Sequence, residues 1–392
     1  MCGIAAIFGP NVNPKILKKS LSRVKHRGFS LFESLYFPTC ALGCNRLEIV
    51  DRDNAVQPVS NEDNTVFAVL NGEIFNFNSL TKELIEKGHL FKTASDSEVL
   101  VHLYEEYGKK MCSKIDSEMF AFFIFDRKKN AFFACRDPYG VKPLYYAIDS
   151  KKNFHFASEI KQLAQFKEIK EIFSFPPGNY MQNCSLTKYH SIPFPVKTVS
   201  LKKSISKLRA LFDSAIKKRL DTDLPIAVFF SGGIDSAAVL ETARKFHSSV
   251  SAVIVGFPSS PDVVFAKRFC NEKNIPFFYS SPPKESELAK IIPKIVFLAE
   301  TFEPNIIRNS AVSYLISKTA REHGFRLAFC GEGPDELFAG YPEFQSLSPS
   351  AISKKISCFI QDLPRTQFQR VDRTSMHFTI ETRIPFFDTA FA

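Results

Sequence analysis

Four clusters in the 392-residue chain have residue types at spacings that chemistry could use. The first is Ser231-Gly232-Gly233-Ile234-Asp235-Ser236, set between the apolar run 226–230 and the helix-like run 237–240. A strand that stops at two glycines and restarts as a helix leaves backbone N–H groups converging on one point, with the helix dipole behind them. That point suits phosphate. The glycines admit an anion closely, Ser231 and Ser236 add hydroxyl donors, and Asp235 serves either as a helix cap or as a magnesium ligand. The second is Cys2. If Met1 is removed, thiol and α-amino group share one residue, and an amine with a pKa of about 7.7–8.0 is partly neutral near pH 7 and takes the thiol proton. A lone cysteine is otherwise a buried structural thiol. The third is Asn71-Gly72-Glu73, an amide side chain and a glycine N–H at a turn after the apolar run 66–70, which is the donor pair an oxyanion needs. The fourth is Cys330-Gly331-Glu332-Gly333-Pro334-Asp335-Glu336, glycines and acids directly after a strand-like run, a composition that suits magnesium and phosphate better than a solvated turn does.

These clusters need elements to hold them. Residues 120–125 are apolar at odd and even positions alike and, with the turn 126–130 and the returning strand 131–135, form a buried hairpin. Ser95-Asp96-Ser97-Glu98 is expected to cap a helix whose apolar positions Val99, Leu100, Leu103, Tyr104 and Tyr107 recur at helical spacing. Arg46 is expected to lead a strand. After Pro176-Pro177-Gly178 the chain becomes polar and turn-rich. From there Leu208, Leu211, Phe212, Ala215, Ile216 and Leu220 mark an amphipathic helix with Lys217, Lys218 and Arg219 at its end. Strands at 250–257, 277–280 and 326–329 alternate with helices, one of them near 262–273. This alternation predicts a doubly wound parallel sheet with nucleotide at the carboxyl ends of its strands. Val255-Gly256-Phe257 sits at such an end and either walls an adenosine or simply terminates the strand.

Length and composition bound the answer. A chain of this size exceeds the usual single core, so two domains are expected. Hydrophobic residues make up 45% and charged residues 23%, as in a soluble protein with sizeable cores. The net charge of +10 comes without an Arg/Lys block interleaved with exposed aromatics, so nucleic acid is not an expected partner, whereas a polyanionic small substrate is compatible with it. The nine cysteines are scattered, without paired C-x-x-C motifs, which fits a reduced chain rather than a disulfide framework or a zinc site. No apolar run approaches the roughly 18 residues of a membrane helix, and the start lacks a signal-peptide pattern. The expected location is cytoplasmic. A bias to 41 phenylalanines with no tryptophan has no chemical reading.

The string S-G-G-x-D-S resembles the pyrophosphate loop of ATP pyrophosphatases; the P-loop string G-x-x-x-x-G-K-[ST] is absent from the chain. Cys2, His26-Arg27-Gly28, Arg46 to Asp51, Asn71-Gly72-Glu73-Ile74 and Ser95 to Glu98, in that order, resemble the glutaminase domain of class II glutamine amidotransferases. The strings 136–146 and 156–161 continue that likeness. Adding Glu300-Thr301-Phe302, G-E-G-x-D-E at 331–336, Asp372 to Met376 and Glu381 to Asp388, nearly the whole chain resembles the glutamine-hydrolysing asparagine synthetases.

The resemblance implies an α+β N-terminal-nucleophile sandwich of two antiparallel sheets with helices over 1–185. A linker over 186–203 and an α/β doubly wound, C-terminally short synthetase domain over 204–392 would follow. It implies Cys2 as the nucleophile, Asn71 and the Gly72 N–H as the oxyanion hole, and Arg46, Asn71, Glu73 and Asp96 as the glutamine site. ATP and pyrophosphate fall to Ser231, Gly232, Gly233, Asp235, Ser236, Val255, Gly256, Gly331 and Glu332, with Mg2+ on Asp235 and Asp335 and Glu332 near the reacting amine. The substrates implied are glutamine, aspartate and ATP, joined through a β-aspartyl-AMP intermediate to which ammonia travels by an internal tunnel; a homodimer is compatible with this. The chain departs from the family where R-G-P-D is replaced by Arg27-Gly28-Phe29-Ser30, at Cys330 and Pro334 where serines are common, and in ending at Ala392 before a family lysine that faces the transition-state phosphate. Two alternatives stay open: the same build acting on another carboxylate, and a non-catalytic relative that binds nucleotide without turnover.

Overall fold

Phe120, Phe122 and Ile124 alternate with Ala121, Phe123 and Phe125, so a strand here has two apolar faces and must be covered on both. The computed structural model describes residues 1–28, 33–52, 54–182, 184–192 and 200–392. Phe29 and Ser30, and 193–199 of the expected linker, lie outside the described residues. The chain divides into two units, Met1–Ser191 and Ile192–Ala392.

In the first unit the strands are β1 (Gly3–Phe8), β2 (Glu33–Tyr36), β3 (Cys40–Asn45), β4 (Val59–Ser60), β5 (Val66–Gly72), β6 (Phe120–Asp126), β7 (Ala131–Arg136), β8 (Tyr145–Ile148), β9 (Phe154–Ala157), β10 (Phe173–Ser174), β11 (Asn179–Gln182) and β12 (Ser185–Lys188). Helices α1 (Pro14–Ser22), α2 (Phe77–Glu86), α3 (Val99–Tyr107) and α4 (Ile160–Leu163) accompany them. The strands form two antiparallel sheets, ordered β10-β8-β9-β1-β3-β2 and β12-β11-β7-β6-β5-β4.

The two faces of β6 have separate destinations. Ala121, Phe123 and Phe125 meet Ile4, Ala6, Leu42 and Cys44 between the sheets, while Phe120, Phe122 and Ile124 meet Leu80 and Leu84 of α2 and Leu100 and Leu103 of α3. On the far side, Leu17 and Leu21 of α1 cover Ala5, Ile7 and Ala41. The layers therefore run helix, sheet, sheet, helix. Much of the phenylalanine bias is spent between the sheets: Phe123 stacks on Phe132 at 5.7 Å, and Phe156 packs tilted against both at 5.1 and 5.2 Å, geometries that aromatic quadrupoles favour.

The second unit carries β13 (Ile226–Phe229), β14 (Val250–Val255), β15 (Phe277–Ser280), β16 (Leu327–Phe329) and β17 (Glu381–Arg383), all parallel, in the order β15-β14-β13-β16-β17. Its helices are α5 (Leu201–Lys218), α6 (Ile234–Phe246), α7 (Pro261–Glu272), α8 (Glu285–Ala299), α9 (Pro304–Glu322), α10 (Pro334–Phe338), α11 (Pro349–Asp362) and α12 (Gln367–His377). Val239, Leu240, Val263 and Ala266 cover one face of the sheet; Ala320 and Phe325 cover Ala227, Val253 and Ala328 on the other. The sheet grows from β13 toward β14 in one direction and toward β16 in the other, so the order reverses beside the carboxyl ends of β13 and β16. Ligands of open α/β sheets bind at such a reversal.

Three local expectations are corrected. Helix α5 begins at Leu201, about two turns before its apolar stripe, and β12 occupies the start of the interval expected to be linker. Arg46 follows β3 instead of leading a strand, because its guanidinium donates to the carbonyls of Val50 and Asp51 at 2.8 Å and winds 46–52 into a loop. Helix α3 starts at Glu98 without a side-chain cap bond; the Glu98 carboxylate accepts instead from the backbone N–H groups of Lys92 and Thr93. Among the described residues, no helix is long and apolar enough to cross a membrane.

Candidate active sites

Cys2 stands at the entry to β1. Ile4 pairs with Cys44 across to β3, so Cys2 is the diagonal neighbour of Cys44 on the same face. Both are buried between the sheets. The backbone N–H of Cys2 donates to Asn71 Oδ1 at 3.1 Å, while Asn71 Nδ2 is buried with no hydrogen-bond partner among the described residues. An amide that holds the nucleophile's backbone with its oxygen and leaves its N–H2 unsatisfied is suited to accept a developing oxyanion. Gly72 has φ +139°, and a Cβ there would lie 2.1 Å from Met119 O, so the turn after Asn71 takes glycine. Arg27 Nε donates to Cys2 O at 3.0 Å, and its Nη1 pairs with the buried Glu159 at 2.8 Å. Cys2 is thus held from both its N–H and its carbonyl.

The Cys2 thiol is pulled down to about 6. The largest cause is a hydrogen bond from Cys44, whose own thiol burial pushes well above the ordinary value and so keeps protonated; burial of Cys2 opposes, and the chain's α-amino group and Arg46 assist. Gln57 Nε2 also points at the Cys2 sulfur, at 3.7 Å, with its Oε1 fixed by the Leu70 N–H at 2.6 Å. The result is a thiol eased toward its thiolate form beside an amide N–H2 able to donate to an oxyanion.

The other residues expected at the glutamine site lie around this pair. Arg46 is buried and near enough for its charge to lower the Cys2 thiol. Asp96 Oδ2 accepts from the Ile74 N–H at 2.9 Å, which ties the 95–98 segment to the turn at 71–74. Glu73 is buried in that turn, its N–H donating to Met119 O and its carbonyl accepting from Ser117.

In the second unit the loops after β13 and β16 meet. A Cβ on Gly331 would stand 2.8 Å from the Ser236 N, so the two loops touch backbone to backbone. Ser231, Gly233, Asp235, Ser236, Val255, Gly331 and Glu332 line one cavity of about 240 Å3. It adjoins a larger apolar one of about 800 Å3 that shares Ser231 and Val255 and adds Gly256, Phe257, Phe302 and Arg308. A mixed pocket with serine, aspartate, glutamate and arginine groups on its wall, beside an apolar one, can take a phosphate chain with a base attached. Gly232, at φ +87°, brings its backbone so close to Asp262 O that a Cβ would lie 2.6 Å away.

Asp235 does not cap α6. The cap is Gly233, with no side-chain bond, and the Ser231 and Ser236 hydroxyls pair with each other at 3.0 Å. Burial, then the charges of Asp335 and Glu332, push the Asp235 carboxyl up. Carboxylates that repel one another beside hydroxyls and free-standing glycines form a donor set that fits a hard divalent cation carrying phosphate. Pro334 is the first residue of α10, where an N–H has no intrahelical partner anyway, so it interrupts no helical bond.

Some participants are not apparent from the chain alone. Cys44 reaches the Cys2 sulfur through strand register, and Gln57, which precedes β4, through its bond to the Leu70 N–H. Arg370 of α12 pairs with Glu332 at 2.7 Å and donates to Ser313 at 2.7 Å; in the chain it stands beside Asp372 and Arg373 with nothing local to single it out. By contrast, the strings 136–146 and 381–388 are structural: Asp137 accepts four successive backbone N–H groups from 139 to 142, and Arg383 bridges Glu381 and the carbonyl of Arg219.

Comparison with known proteins adds lineage to this geometry. Residues 1–212 match the family model of a glutamine amidotransferase domain and residues 207–357 that of asparagine synthase. Asparagine synthetase [glutamine-hydrolyzing] 2 of Arabidopsis thaliana is 31% identical over 412 residues, covering all of this chain and 70% of its own length. The asparagine synthetase [glutamine-hydrolyzing] of Zea mays is 32% identical over 413, with 69% of its length covered. A solved glutamine phosphoribosylpyrophosphate amidotransferase from B. subtilis overlays 91% of this chain and 89% of its own at 16% identity, with a TM-score of 0.40, too loosely to bear on function. On the full-chain alignments and the two family models in this order, the chain belongs to the glutamine-hydrolysing asparagine synthetase family.

Proposed function

We propose that the chain makes asparagine from aspartate with ammonia drawn from glutamine and energy from ATP. One observation carries the reading: the low-pKa Cys2 thiol and the unsatisfied Asn71 amide meet in one unit of a chain whose other unit gathers Ser231, Asp235, Ser236 and Glu332 round one cavity. In the first reaction the Cys2 thiolate attacks the side-chain amide carbon of glutamine. Asn71 Nδ2 and the Gly72 N–H hold the oxyanion, ammonia leaves, and water hydrolyses the thioester to glutamate. Arg46 binds the glutamine carboxylate; Asp96 and Glu73 bind its amino group. Once Met1 is removed, the Cys2 amine carries the proton to the departing ammonia.

In the second reaction the side-chain carboxylate of aspartate displaces pyrophosphate from the α-phosphate of ATP. The Ser231 to Ser236 loop and Gly331 cradle the phosphates, Val255 and Gly256 wall the nucleoside, and Asp235 and Asp335 would hold magnesium, which neutralises the leaving pyrophosphate. Ammonia then displaces AMP from β-aspartyl-AMP to give asparagine. Glu332, oriented by Arg370, faces the incoming amine and takes its proton.

The test is product analysis by mass of the protein freed of Met1, with ATP, magnesium and glutamine, with and without aspartate. Aspartate-dependent pyrophosphate together with AMP and asparagine is expected. Cys2→Ala should abolish the glutamine-driven reaction and leave the ammonia-driven one, whereas Asp235→Ala should stop pyrophosphate release and spare glutaminase. Glutamate and ammonia without pyrophosphate under all these conditions would overturn the synthetase half.

A further inference from the structure

Away from Cys2, on the helix-covered face of the first unit, His102 of α3 is fully buried, and neither of its ring nitrogens has a hydrogen-bond partner among the described residues. Carboxylates stand near but too far to bond: Glu62 Oε1 lies 3.5 Å and Glu105 Oε2 3.8 Å from Nδ1. His89 joins them, its Nδ1 hydrogen-bonded at 3.1 Å to Glu62 Oε1, an oxygen that also accepts from the Leu90 N–H at 2.8 Å. One ligand atom from each of Glu62, His89, His102 and Glu105 lies within 4.8 Å of the others. Atoms held tetrahedrally at about 2.0–2.2 Å from one ion stand on the order of 3.3 Å apart, so the 3.5 and 3.8 Å separations at His102 suit a shared ion better than direct bonds.

We propose that Glu62, His89, His102 and Glu105 form a structural site for a divalent transition metal of the zinc class, distinct from the magnesium expected in the second unit. Two imidazoles and two carboxylates favour such an ion over magnesium or calcium, which take oxygen ligands. Two anionic carboxylates also balance its charge. The surroundings have the form that metal ligands require around them. The far nitrogen of His89 faces Glu106 at 3.3 Å, and that of His102 faces Glu98 at 3.8 Å. The second oxygen of Glu105 is fixed by Asn61 Nδ2 at 2.8 Å. The ion would pin the turn between β4 and β5 and the loop after α2 onto α3, just beyond the segment that holds Asp96.

The full-length protein should be stripped with chelator, desalted, and titrated with Co2+ and Zn2+. One equivalent of Co2+ with the visible absorption of a tetrahedral site, displaced by Zn2+, is expected, and Zn2+ should raise the melting temperature. His89→Gln and Glu105→Gln, both at partly accessible positions, should lose the band while remaining folded; His102→Ala is less decisive because the residue is buried. Cys2→Ser should keep the band, since thiolates are the other ligands to which cobalt would turn. Sub-stoichiometric binding by the wild type, a band unchanged in His89→Gln, or a band lost in Cys2→Ser would each overturn the site.

Discussion

At the scale of single residues, the proposed nucleophile Cys2 is tuned by its buried neighbour Cys44. Cys44 retains its proton because it is buried, and by donating it to Cys2 helps bring that thiol to about 6. The thiolate is the reactive form, so glutaminase kcat/KM should rise with pH through about 6 and level off above it. Cys44→Ala removes the donor and should move the rising limb to higher pH, read independently from the pH dependence of Cys2 alkylation. An unmoved limb would mean that Cys44 is packing only. Asn71→Ala should lower glutaminase kcat by roughly 10²–10³, the usual effect of losing one oxyanion donor, with ammonia-driven synthesis unchanged in the same assays.

At the scale of elements, the synthetase site depends on how closely two βα loops approach. The strand order reverses beside β13 and β16, and glycine at 331 lets the second loop lie against Ser236 N. Gly331→Ala should push the loops apart by several tenths of an ångström or more and reduce pyrophosphate release roughly 100-fold, as misplacements on the order of 1 Å do. Glutaminase and the melting temperature should change little; a large fall in stability instead would assign Gly331 to packing. The absence of a side-chain cap on α6 belongs to the same design, since a cap would occupy the N–H groups that a phosphate needs.

At the scale of the whole molecule, each unit closes its own core, and the second is tied at its end by buried charge. Asp388 accepts from Arg219 at 3.0 Å and pairs with Lys218; burial alone would raise its carboxyl, but these cations hold it below the usual range. A depressed carboxylate contributes stability that is present above its unfolded pKa and lost as pH falls through the folded one. Asp388→Asn leaves Arg219 buried without its anion and should destabilise the second unit by about 3–5 kcal/mol at pH 7. Urea unfolding of wild type and variant checks it, and a difference near zero would show that the pair is dispensable.

What the chain by itself determined were the features written locally. The alternation at 120–126 makes a strand covered on both faces, the glycine pairs mark the anion loops, and the order of strings places a glutaminase before a synthetase. Those readings rest on period, turn chemistry and residue type, which act over a few neighbours. Tertiary structure decided what depends on register and crossing: that Cys44 and Gln57 reach Cys2, that Arg370 reaches Glu332, that Arg46 spends donors on its own loop, and that His102 is buried among carboxylates of its own helix and of the turn between β4 and β5. Contacts between residues tens to hundreds of positions apart leave no local pattern, because they are fixed only when sheets pair and cores close.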